Sequence, residues 1–84
     1  MRLSLTYSAY REMEQIPGVP LRAIGAAILA LSDNPMPPGS AVLKGRGGCL
    51  YISIDGYNIL YHVGQREEEI TVLGVVDESL RTLH

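Results

Sequence analysis

The sequence predicts an α+β domain in which a two-helix hairpin lies on one face of an antiparallel sheet, and three observations carry that prediction. Leu50–Ile54 and Tyr57–Tyr61 alternate in polarity on either side of Asp55-Gly56, the signature of a two-residue hairpin turn. Leu21, Ile24, Ile28 and Leu31 recur at 3-4-3 spacing, the buried stripe of a helix. Ile70–Val76 is a run rich in β-branched residues, suited to a buried strand.

Taken in order, residues 2–6 alternate as a short half-buried strand, and Ser8 is the expected cap of a first helix reaching about Gln15. Pro17-Gly18 ends it, and Pro20 suits the first turn of the second helix. Gly25, Ala26, Ala27 and Ala30 are small enough to let that helix lie close to a neighbour. Asp33-Asn34-Pro35 stops it, and Met36–Gly48, dense in proline and glycine, reads as an irregular loop. The hairpin register then pairs Ile54 with Tyr57, Ile52 with Ile59 and Leu50 with Tyr61. That face is core; Cys49, Tyr51, Ser53, Asn58, Leu60 and His62 share the other. Residues 64–69 form a charged turn, and Glu78–His84 a tail or a single helical turn. The expected succession is an N-terminal strand, a helical hairpin and a three-stranded antiparallel meander, forming one domain over residues 1–84.

A chain of 84 residues at a formal charge of −2 has room for one small core and gives no general electrostatic grip on nucleic acid. The single cysteine, Cys49, excludes a disulfide framework and a multi-cysteine zinc site, which fits a reducing, cytoplasmic setting. Neither a leader nor a membrane-length apolar run is expected. The basic pair Lys44 and Arg46 lies in a glycine-rich loop. Gly45-Arg46-Gly47-Gly48 has a superficial likeness to a phosphate loop but lacks the Gly-Lys-Ser/Thr that would follow. Cys49 and His62 share a face without a third group to orient them.

Ile28-Leu29-Ala30-Leu31-Ser32-Asp33-Asn34-Pro35, Leu43-Lys44-Gly45, Leu50–Ile54, Gly56–Tyr61 and Val72–Val75 follow one another in an order and spacing that resemble the RelE/ParE toxin superfamily. The likeness runs from about residue 3 to the C-terminus. RelE-type members cut messenger RNA in the ribosomal A site, and ParE-type members poison DNA gyrase. The resemblance therefore implies a type II toxin acting on translation by ribosome-associated cleavage. The alternatives are a catalytically silent module that pairs with an antitoxin-like partner, and a gyrase inhibitor. It also implies a cognate antitoxin, the ribosome and its messenger as partners, and no cofactor, metal or membrane; a homodimer stays open.

In the ribonucleases, basic side chains on the sheet stabilise phosphate charge while a group near the C-terminus moves a proton. Matched by motif, the family's strand lysines fall on Tyr51 and Ser53, its arginines on Asn58 and Glu78, and the terminal group near His84. None of the four cations is present. The expected catalytic set is accordingly Lys44, Arg46, Asn58 and His84, with Tyr51, Ser53 and His62 forming the substrate or partner face.

Overall fold

The computed structural model describes residues 2–45, 47–64 and 68–79. Its elements are β1 (Arg2–Leu5), α1 (Tyr7–Met13), α2 (Gly18–Leu31), β2 (Ala41–Val42), β3 (Cys49–Ile54), β4 (Tyr57–Val63) and β5 (Glu69–Asp77). The strands form one sheet in the order β1-β5-β4-β3-β2. β1 joins β5 in parallel and the remaining pairs are antiparallel, so the sheet is mixed. The α+β architecture agrees with the sequence, with two additions. The segment read as an irregular loop contains β2, a two-residue edge strand on β3. The N-terminal strand runs parallel to the last one, a pairing possible because the rest of the chain serves as the crossover.

The Asp55-Gly56 turn sets the central hairpin. Asp55 has φ 51° and Gly56 φ 85°, the two left-handed residues of a type I′ turn, whose twist matches the flanking strands. The register is the one expected, Ile54 with Tyr57, Ile52 with Ile59 and Leu50 with Tyr61. These residues meet Ile24, Ile28 and Leu31 of α2 and Ala9 of α1 in the core, with Leu21 packed beside it.

The first helix starts two residues earlier than expected. Thr6, not Ser8, caps α1, its Oγ1 accepting from the Ala9 N–H at 3.1 Å. Thr6 also donates to the Leu73 carbonyl at 3.1 Å, and that second bond has a cause in the sheet. The β4/β5 register shifts between Leu60 and Tyr61: Leu60 pairs with Gly74 and Tyr61 with Val72, so Leu73 is an extra residue, a β-bulge. The bulge lets Val72 and Val75, three apart, both enter the core. It also needs partners from outside the ladder. Thr6 serves the Leu73 carbonyl, and Glu12 Oε1 accepts from the Val75 N–H at 2.8 Å. Gly74 makes room for that carboxylate, since a Cβ there would lie 3.1 Å from Glu12 Oε1.

Candidate functional site

The face of the sheet opposite the helices divides into two ends. Because β3 and β4 pair Ser53 with Asn58, Tyr51 with Leu60 and Cys49 with His62, those side chains follow each other along one surface. At the turn end, Ser53 Oγ lies 2.7 Å from Asn58 Oδ1 and 2.9 Å from Glu78 Oε1. Glu78 reaches this position because β5 runs on past β4's first residue, its own N–H bonding the Gly56 carbonyl at 2.9 Å. A hydroxyl has one hydrogen and cannot fully satisfy two acceptors at once. With the Asn58 amide turned end for end, its NH2 donates to Ser53 Oγ and the hydroxyl hydrogen goes to the Glu78 carboxylate.

Asn58 was expected to project from an accessible face; it is fully buried, the one buried polar side chain among the described residues. In the unturned orientation its Nδ2 has no partner, and turning the amide gives that group Ser53 Oγ. Sealed from solvent, it bonds Ser53 and does not itself meet a substrate. On the opposite, helix-covered face, where Asp77 pairs with Tyr57, the Asp77 carboxyl is held below the usual carboxylate range by hydrogen bonds from the Ser79 hydroxyl and N–H.

At the other end, His62 is exposed and its ring packs on Gly48, where a Cβ would lie 3.2 Å from the imidazole carbon Cδ2. Cys49 is buried, with its thiol 3.7 Å from the Leu50 carbonyl. Lys44 is exposed in the β2–β3 turn, beyond the Cys49 end of β3. The four residues from Cys49 to Ser53 span about 13 Å of strand, so Lys44 stands at the opposite end from Ser53, Asn58 and Glu78. Arg46 and His84 lie outside the described residues. The structure thus brings together Ser53, Asn58 and Glu78, keeps Lys44 apart, and leaves Tyr51 half-buried between the two ends. Among the described residues no group of three or more His, Cys, Asp or Glu is placed to hold a metal, and no helix is long and apolar enough to cross a membrane.

By sequence the chain matches no family model and no curated protein. Its backbone tells more. The toxin–antitoxin complex RelBE of Mycobacterium tuberculosis contains a chain that superposes at a TM-score of 0.77 with 22% identity, covering 90% of this chain and 95% of that one. The RelE–RelB complex of Pyrococcus horikoshii gives 0.79 at 17% identity over 92% and 93%. A YoeB/ParE toxin of Agrobacterium tumefaciens gives 0.78 at 19% over 92% and 98%. This chain has the RelE/ParE toxin fold.

Within the RelE-like frame, the positions that the resemblance assigns to cations acquire a definite chemistry. Three of the four, Ser53, Asn58 and Glu78, form one hydrogen-bonded chain ending on a carboxylate. This end of the face presents the Glu78 carboxylate, a negative charge. The Ser53–Asn58 contact was legible in the hairpin register, as a directly opposed cross-strand pair. The part played by Glu78 was not, because no local pattern reveals where the end of β5 lies relative to β3.

Proposed function

We propose that this chain is the toxin component of a type II toxin–antitoxin pair, held in the cytoplasm by a cognate antitoxin. The observation that carries the reading is the match of nearly the whole backbone, helices and sheet together, to the isolated RelE toxin of E. coli and the YoeB/ParE toxin, and to chains of toxin–antitoxin complexes. Two readings of its action follow. Ribosome-associated cleavage of messenger RNA is the first, with Lys44 and Arg46 in the β2–β3 loop as the available cations and His84 as the terminal acid. The second is a module that binds without cleaving, and the Ser53–Asn58–Glu78 chain favours it. Its carboxylate occupies a position to which the resemblance assigns an arginine, and loss of one preorganised donor commonly lowers a rate about 10²-fold or more. A surface of neutral polar and aromatic groups with one carboxylate suits a protein partner better than a phosphate backbone, whose affinity comes from Lys and Arg contacts. A gyrase-directed action has no observation of its own to favour it.

The test is induced expression followed by sequencing of messenger 5′ ends, with and without co-expression of the small protein encoded beside it. Growth arrest relieved by that protein supports the toxin role, and an unaffected culture with no complex between the two proteins overturns it. New codon-phased cuts that vanish in a Lys44→Ala, Arg46→Ala variant establish cleavage; arrest with unchanged messenger ends establishes binding.

A further inference from the structure

Helix α2 is apolar on two sides. Its inner stripe enters the core, yet Val19 on its outer side is 69% exposed and Leu29 66% exposed. Arg22 is the one charged residue between Gly18 and Leu31. A helix apolar all round belongs in a buried setting, and this one is covered on a single side. The outer residues have an order. Val19, Arg22, Ala26, Leu29, Asp33 and Met36 follow at intervals of 3-4-3-4-3, and all six are exposed. That is the seam of a helix that packs against another helix by knobs into holes. α2 ends at Leu31, and the Asn34 N–H bonding the Ala30 carbonyl at 3.0 Å carries the helical path, and with it the seam, through Asp33; Met36 follows Pro35 beyond it.

We propose that this seam is a self-association surface, on which two copies of the chain pair their α2 helices antiparallel about a twofold axis between Ala27 and Ile28. In that arrangement Ala26 of one copy faces Leu29 of the other, so the small residue receives the large one. Arg22 faces Asp33. Twofold symmetry makes every contact twice, which places an opposite-charge pair at each end of the seam. The parallel alternative sets Arg22 against Arg22 and Asp33 against Asp33, so the charges select the orientation as well as the partner. α2 is about 21 Å long, which limits the contact to the small end of specific interfaces and the dissociation constant to the order of 100 µM. The surface is on the helical side of the sheet, away from Ser53, Asn58 and Glu78. It does not rest on the toxin–antitoxin reading.

Sedimentation equilibrium of the full chain between about 10 µM and 1 mM tests it. The average mass of the unaltered chain should climb toward twice the monomer with concentration. Leu29→Glu, at an exposed position, should remain monomeric while keeping its circular dichroism and melting temperature. Arg22→Asp alone and Asp33→Arg alone each turn both attractive pairs into repulsive ones and should associate more than about tenfold more weakly. An equimolar mixture of those two variants restores both pairs in the heterodimer and should regain association. A wild-type chain monomeric to 1 mM, leaving the face to a different protein, overturns the proposal. So do association that survives Leu29→Glu and a mixture no tighter than its separate components.

Discussion

Truncation of Glu12 to alanine tests how the bulge in β5 is held. The bulge takes Leu73 out of the β4/β5 pairing, and β1 pairs with β5 only as far as Val72, so the Val75 N–H has no strand to meet. Glu12 reaches it from α1 at 2.8 Å. Hydrogen bonds to charged groups contribute about 1.5–3 kcal/mol net. The shallow cleft around Glu12, lined by Gln15, Ile16, Tyr57 and Val75, is open to solvent. Water can therefore replace the carboxylate in part, which places the expected loss for Glu12→Ala at the lower end, about 1.5–2 kcal/mol. In a domain of this size that is a fall in melting temperature of about 6–16 °C. Glu12→Gln keeps an acceptor oxygen without the charge and should lose about half as much. Urea unfolding followed by far-ultraviolet circular dichroism gives both values, with an unchanged slope showing that the mutations act on stability alone. A Glu12→Ala variant within about 0.5 kcal/mol of the parent would refute the reasoning. The bulge would then hold itself, and the carboxylate on Val75 would be incidental.

Two further substitutions probe buried polar groups. The fully buried Tyr61 donates its hydroxyl to the Pro35 carbonyl at 2.8 Å; burial pushes the phenol above its ordinary 10.0, with a hydrogen bond from Ser40 opposing. A raised folded value means the neutral phenol stabilises the fold below pH 10 and that stability is lost as pH rises beyond it. Tyr61→Phe should cost about 1–2 kcal/mol at neutral pH and flatten that alkaline loss, as read by urea titrations at pH 7 and pH 11. Asn58→Asp places a second carboxylate in a buried position joined through Ser53 to Glu78. It should destabilise on the order of 3 kcal/mol at pH 7. Burial and the like charge raise the new group's folded value, so the deficit should shrink as pH falls below about 5, and Glu78→Gln in the same chain should relieve part of it.

Much of this molecule was legible in local pattern. Asp55-Gly56 specified the turn, and the period-2 alternation on either side specified which of Leu50, Ile52, Ile59 and Tyr61 would be buried, because slipping one residue turns every side chain to the wrong face. The 3-4-3 stripe of α2 was legible for the same kind of reason. What escaped were decisions made between distant segments. Nothing in the pattern of β5 by itself marks Leu73 as the extra residue, since a bulge appears only when β4 is laid against β5. Thr6 outcompetes Ser8 as the cap of α1 because it also reaches the Leu73 carbonyl that the bulge leaves open. The parallel pairing of β1 is likewise a contact between the two ends of the chain.

The site divides the same way. Sequence determined that Ser53 and Asn58 lie opposite each other and that Tyr51, Ser53, Asn58 and Glu78 carry no positive charge. Tertiary structure decided that Asn58 is sealed in and that Lys44 stands beyond the Cys49 end of β3, itself about 13 Å of strand from Ser53. It also decided that Glu78, 25 residues from Ser53, closes the network with a negative charge. Periodicity reports which way a side chain points, because that depends on its own backbone; whether it is covered, and by what charge, depends on residues that meet only after folding.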